Sequence, residues 1–383
     1  MKNKHFHLMA AVGISVFGLC SCSEDDGPKA IPVEGANAIR FTATTQLPSR
    51  AGDITTNNLK EFNVYAYTGT ATDPELFMDN VVVSKGDNNT WTYSPIKYWP
   101  AGETVDFYAF APGTWVGTNG PLKPVTYDNG YGNSAGSQDL IYAISPDLSG
   151  YIDAPNAQVV FNFRHALSKV SVKMSSTNSG LRVEVKNVVL GNIKSRGNFN
   201  FPRVSTAQTI SPSTPATGAV AEESIGKWTD LNTPSNYILY QSQDAGDIIV
   251  LTTTPMVVSV NLEGLPNPEF MIPQPLTWRS NGEGSSDTYI AVTGAIYDET
   301  TGDKLWPNEN TPPENLVSGS TAGDGVIKFP LSTSSISYWV PGCHYIYNLV
   351  INSNEEMGTI DFGNPTVDTF VDVTATYEYS YST

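Results

Sequence analysis

Enzymatic chemistry needs nucleophiles, bases or metal ligands, and this chain of 383 residues carries only four histidines and three cysteines. His5 and His7 precede an apolar run at the extreme N-terminus, which leaves His165 and His344 for the body of the chain. A catalytic serine or cysteine needs an adjacent base, and no G-x-S-x-G elbow frames a serine. Cys343 and His344 are sequence neighbours, but neighbours on a strand point to opposite faces, so both are read as structural. No paired Cys/His spacing and no D-x-D-x-D-G loop occurs. Asp298, Glu299 and Asp303 surround a turn that suits a solvated loop better than a cation site. The glycines stand in turns between β-type runs and never before a helix, so no phosphate cradle is written here. The 38 acidic residues single out no pair for glycoside hydrolysis. Trp91, Trp99, Trp115, Trp228, Trp278, Trp306 and Trp339 could stack on sugars, but they fit the core or rim of a β-sandwich better. The expectation is a chain with no catalytic residue, no cofactor and no metal.

Two positions do carry processing chemistry. Lys2 and Lys4 precede a 12-residue uncharged run, Leu8 to Leu19, too short to span a bilayer and therefore read as a signal peptide over residues 1–21. It ends in Leu19-Cys20-Ser21-Cys22-Ser23, which resembles a bacterial lipobox with Cys22 as the acylated first residue of the mature protein. Ser23-Glu24-Asp25-Asp26 then resembles an acidic surface-export tag of Gram-negative lipoproteins, or is simply a solvated linker. Beyond Cys22 only Cys343 remains, so no intramolecular disulfide is expected. The second position is Arg50-Ala51, within Gln46-Leu47-Pro48-Ser49-Arg50-Ala51-Gly52. It suits an arginine-specific protease, and an ordinary loop arginine is the alternative.

Composition narrows the class of protein that surrounds these positions. A net charge of −17 is wrong for a nucleic-acid partner, which calls for a basic footprint. A hydrophobic content of 40% supports a packed core and argues against disorder. Period-two alternation dominates, and no amphipathic helix follows the signal. Strands are expected at 39–43, 62–67, 81–84, 105–110, 159–163, 170–174, 183–185, 248–253, 257–262, 289–296 and 345–351. Turn residues such as Asn129-Gly130, Asn281-Gly282 and Thr301-Gly302-Asp303 separate them. Many short strands without helices predict β-sandwiches, and the chain is long enough for two. The expected organisation is a signal peptide at 1–21, a lipidated linker with a removable first strand at 22–50, an N-terminal sandwich at 51–164, a C-terminal sandwich at 165–365 and a terminal strand at 366–383. Ser205 to Gly226 and Pro312 to Gly325 are expected as long loops.

The longest alternation lies at the C-terminus, with Val371, Val373, Ala375, Tyr377, Tyr379 and Tyr381 on one face. At about 3.3 Å per residue such a strand exceeds 30 Å, and an unpaired strand of that length is an aggregation hazard. It therefore needs a sheet, its own or a neighbour's. If cleavage after Arg50 removed the strand at 39–43, the vacated groove could take this strand from another subunit. Groove and strand would lie at opposite ends, so the contact is head-to-tail and builds a filament.

These features, together with a series of local motifs, resemble the fimbrillin family, the lipoprotein precursors of type V pilin subunits. The motifs are Ile39-Arg40-Phe41, Phe62-Asn63-Val64-Tyr65-Ala66, Tyr98-Trp99-Pro100, Val105 to Pro112, Asp139-Leu140-Ile141-Tyr142-Ala143, Phe163 to Val170, and Trp339-Val340-Pro341-Gly342 before Tyr345-Ile346-Tyr347. The resemblance implies two tandem transthyretin-like β-sandwiches and export to the outer membrane and cell-surface fimbrium through lipid on Cys22. It also implies cleavage at Arg50-Ala51 and polymerisation with other pilin subunits by strand exchange, in support of adhesion to a host or bacterial surface receptor. The rival readings are a non-polymerising tip or anchor pilin and a surface glycan-binding lipoprotein.

Overall fold

The computed structural model describes residues 38–45, 58–70, 72–87, 90–112, 125–128, 139–149, 158–202, 226–259, 269–279, 286–334, 336–352, 362–363, 367–368 and 372–380. The N-terminal strands are β1 (Arg40–Thr45), β2 (Glu61–Thr70), β3 (Asp73–Lys85), β4 (Trp91–Thr92), β5 (Val105–Ala111), β6 (Val125–Asp128), β7 (Ile141–Leu148) and β8 (Gln158–His165). There follow β9 (Ser168–Ser176), β10 (Leu181–Asn200), β11 (Lys227–Gln241), β12 (Ile249–Val250), β13 (Met256–Val257), β14 (Glu269–Met271), β15 (Tyr289–Asp298), β16 (Lys304–Trp306), β17 (Gly325–Pro330), β18 (His344–Asn352), β19 (Phe362–Gly363), β20 (Val367–Asp368) and β21 (Asp372–Ser380). The only helical pieces among the described residues are single 3-10 turns at Ala245–Asp247 and Pro313–Asn315. The fold is all-β.

The first unit is one sheet in the order β1-β8-β7-β5-β2-β3-β4. It folds over so that its two ends meet: Ala38 bridges Tyr98, and the Ile39 N–H donates to the Lys97 carbonyl at 3.0 Å. Folding over gives two facing layers around a core that includes Phe41, Phe62, Trp91, Trp99, Phe107 and Phe161. The alternation of β8, with Val159, Phe161 and Phe163 buried between exposed neighbours, is the period-two signature of a strand with one wet face.

The second unit is a sandwich of two sheets. One runs β11-β10-β15-β16 with β17 also on β15, and the other runs β13-β9-β18-β21-β19. Val170, Val172, Tyr345 and Tyr347 from one sheet meet Val183, Val185, Ile290 and Ile327 from the other in a single core. Two glycines allow backbones and rings to close: a side chain at Gly294 would strike the Glu184 carbonyl oxygen, 1.9 Å from the position of a Cβ, and one at Gly191 would strike the Tyr289 ring.

The long hairpin of β10 and β11 reaches back to the first unit. Near its tip β10 is paired on both sides, with β11 and with β6, which sets Arg196 opposite Asp128 and Phe199 opposite Val125. A third cluster, with Tyr65, Phe110 and Tyr142 from the first unit and Phe199, Trp228 and Phe270 from the second, fills the space between the two cores.

Candidate functional site

β1 lies at the edge of its sheet and runs parallel to β8 over six register pairs, from Arg40 opposite Gln158 to Thr45 opposite Phe163. Ile39, Phe41 and Ala43 are fully buried. The Phe41 ring stacks on Phe161 with centroids 5.6 Å apart and meets Phe107 edge-on at 5.9 Å. On its other side β1 is held by the segment after β4: Tyr93 Oη donates to the Ile39 carbonyl at 2.9 Å and accepts from the Lys97 N–H at 3.2 Å. Burial pushes the Tyr93 phenol up to about 12, so it stays a neutral donor at physiological pH. The first strand is thus a plug of three apolar side chains, seated between β8 and the 93–98 segment. The sequence marked the plug through its alternation. Tyr93 carries no such signal, because only the fold brings it to Ile39.

β21 runs parallel to β18 over nine register pairs, so it completes a sheet of its own chain. Val373, Ala375, Tyr377 and Tyr379 occupy the register positions beside Tyr345, Tyr347, Leu349 and Ile351. β19 and β20 pair with β21 from its other side. Cys22, Arg50, Ala51, Val371 and Tyr381 lie outside the described residues.

The motifs around the junction have a structural logic. Gly342, at φ +73°, turns the chain so that its N–H donates to the Leu167 carbonyl at 2.8 Å. The Ser168 hydroxyl donates to the Val340 carbonyl at 2.7 Å, and Lys169 N–H to the Cys343 carbonyl at 2.8 Å. Trp339 donates its indole N–H to Tyr347 Oη, which donates on to the Leu331 carbonyl, both at 3.0 Å. The segment 139–143 joins the same knot: Ala166 N–H donates to the Leu140 carbonyl at 2.8 Å, and the Asp139 carboxylate accepts from His165 Nδ1 at 2.8 Å. A carboxylate can only accept, so the imidazole carries its proton on Nδ1. Trp228, from the hairpin, closes the knot by donating to the Ala166 carbonyl at 2.8 Å. Three sequence motifs that looked separate therefore form one joint between the cores.

The remaining chemistry-bearing residues are engaged in structure. His344 Nε2 lies 2.7 Å from the Ser171 hydroxyl, and the pair is buried. Asp298 accepts from the N–H groups of Thr300 and Thr301, which hold its carboxyl below the usual carboxylate range. Trp91, Trp99, Trp228, Trp306 and Trp339 are buried, so none of these five offers a ring face to a sugar. Cys343 is buried as well, and desolvation pushes its thiol up to about 12. A chain of residues 23–383 is therefore expected to give no thiol signal with a disulfide reagent at pH 8 until denaturant is added. Prompt labelling of the native chain would place Cys343 at the surface.

An all-β protein with two packed cores, an N-terminal strand seated as a plug and a C-terminal strand completing its own sheet is the class of protein that these features define. Residues 49–368 match the fimbrillin-like family, and the chain belongs to that family. No curated protein matches it. Among solved structures, a candidate cell-adhesion protein from Bacteroides uniformis is 15% identical with a TM-score of 0.44, covering 90% of this chain and 98% of that one. The tip fimbrial protein Mfa3 of Porphyromonas gingivalis is 14% identical with a TM-score of 0.33, covering 76% of this chain and 88% of that one. The fimbrial anchor protein Mfa2 of the same organism is 10% identical with a TM-score of 0.29, covering 79% and 100% respectively.

Proposed function

We propose that this chain is a structural, non-catalytic subunit of a type V fimbria, exported as a lipoprotein on Cys22 and polymerised by strand exchange after cleavage between Arg50 and Ala51. The observation that carries the reading is the seat of β1. A strand held by three buried side chains, with Arg50 five residues beyond its last member, can be cut loose without breaking any other strand. Its departure uncovers the β8 edge and the rings of Phe107 and Phe161, which a strand from another subunit would cover again. Supplying Val371, Val373, Ala375, Tyr377, Tyr379 and Tyr381 from a neighbour buries up to six apolar side chains, worth at most about 9–18 kcal/mol before ordering costs and before the loss of the donor's pairing with β18.

In this reading residues 22–50 are the lipidated propeptide, 51–164 and 165–365 are two transthyretin-like units, and 366–383 holds the donor. The mature subunit sits in the cell-surface fimbrium, binds its neighbours head-to-tail and supports adhesion. Among the described residues no helix is long and apolar enough to cross a membrane. In this reading the lipid on Cys22 anchors the precursor.

Treating purified residues 23–383 with an arginine-specific protease is expected to cut after Arg50 and produce a ladder of SDS-resistant multimers. Arg164, Arg182 and Arg196 lie within strands and should resist cleavage. Arg50→Ala should abolish the cut at this site and the ladder together. Clean cutting without a ladder would point instead to a subunit that does not polymerise.

A further inference from the structure

Two buried hydrogen-bond donors in the first core have no acceptor. Trp91 and Trp99 are 3% and 4% exposed, yet neither indole N–H has a partner. Trp228 and Trp339, equally buried, both donate at 2.8–3.0 Å. Leaving such a donor unpaired in an apolar site is unfavourable, and native proteins seldom do so without a reason. Both orphans bracket the segment that grips β1. Trp91 belongs to β4, and Trp99 follows directly on Tyr98, the bridge partner of Ala38. Trp91 packs on Phe62 at 4.8 Å and Trp99 on Phe107 at 5.6 Å, and Phe41 meets both of these rings edge-on, as it does Tyr93. The resident strand offers this core only Ile39, Phe41 and Ala43, whose side chains are hydrocarbon and accept nothing.

We infer that Trp91 and Trp99 select the strand that replaces β1, each indole N–H donating to a tyrosine hydroxyl brought in by a second copy of this chain. The inference rests on the strand-exchange reading. The C-terminal strand has the matching chemistry: the face that starts with Val373 and Ala375 continues with Tyr377 and Tyr379, whose phenol oxygens lie at the ends of side chains about 7 Å apart along a strand. Its apolar start can fill the space vacated by hydrocarbon, and its tyrosines add acceptors that β1 lacks. Exchange then gains two hydrogen bonds that β1 cannot supply, which favours this donor over β1 in the groove, while the donor strand gives up its pairing with β18 of its own chain.

The test uses the chain cut after Arg50 and a synthetic peptide of residues 371–383. Replacing Tyr377→Phe or Tyr379→Phe in the peptide keeps shape and removes one acceptor, and each is expected to weaken binding about ten-fold. With 15N-labelled tryptophan, the Nε1–H resonances of Trp91 and Trp99 should move downfield when the unsubstituted peptide binds. Each Phe peptide should leave one of them unmoved. Equal binding of all peptides, with both resonances stationary, would overturn the inference while leaving strand exchange intact. Resonances already downfield in the uncut chain would overturn it too. If the unsubstituted peptide does not bind at all, strand exchange itself fails and the inference falls with it.

Discussion

Phe41→Ala is expected to lower the stability of the uncut chain by about 3–5 kcal/mol, the usual loss when a fully buried phenylalanine is truncated in a core that cannot collapse onto the gap. The site cannot collapse easily, because Phe41 touches Phe62, Tyr93, Phe107 and Phe161, each fixed by its own strand or by a backbone hydrogen bond. The same truncation removes the largest of the three side chains that seat β1. After cleavage at Arg50, the N-terminal peptide should therefore stay bound to the parent chain but fall away from Phe41→Ala during gel filtration, and SDS-resistant multimers should appear sooner. Thr42→Ala, on the opposite face of the same strand, should change stability by no more than about 0.5 kcal/mol. Equal urea midpoints for the two variants would show that β1 is not seated as described.

The contrast between Phe41 and Thr42 also shows what the sequence could reveal. Strands with one buried and one wet face write themselves as alternation, which is why β1, β8, β9, β15, β18 and β21 are legible within a residue or two. β10 and β11 are not. The sequence suggests only 183–185, whereas β10 runs from Leu181 to Asn200 and β11 covers Lys227–Gln241. Their pairing shifts register at Val188/Val189, Leu190/Ile193 and Arg196/Asn198, and each shift resets which residues face inward. Asn192 and Asp230 take positive φ at two of these irregularities, and Pro234 sits on β11, an edge strand where a missing N–H is tolerated. The strands expected at 248–253 and 257–262 shrink among the described residues to the two-residue β12 and β13.

The site was half legible for a related reason. Apolar plugs follow from local pattern, so the plug residues of β1 could be named. Partners far apart in sequence could not. Trp91 and Trp99 looked like ordinary core aromatics, and their unpaired N–H groups become visible only when the acceptors around them are known. The sequence places His165 at the start of the second unit, and its partner Asp139 lies 26 positions away.

Asp139→Ala is expected to cost about 1–3 kcal/mol, because it takes from the buried His165 Nδ1–H the acceptor it holds at 2.8 Å. Both side chains are almost inaccessible, at 0% for Asp139 and 7% for His165, so water cannot replace the lost acceptor. Besides lowering the melting temperature, the change should loosen the joint itself. Amide exchange at Ala166 should quicken, as should exchange of the Trp228 indole proton held by the Ala166 carbonyl. Asp106→Ala, which removes an acceptor from the exposed Asp147 N–H, should have a far smaller effect. The double change Asp139→Leu with His165→Phe should recover much of the loss, since removing both polar partners leaves no orphan. In a strand-exchanged filament, tension would enter one unit at the β1 seat and leave the other through the C-terminal strand. The 163–170 knot is where the two units are tied, and Asp139→Ala filaments should shear into shorter pieces under sonication than the parent does. Parent-like exchange rates and filament lengths in Asp139→Ala would show that the aromatic cluster holds the units together without this hydrogen bond.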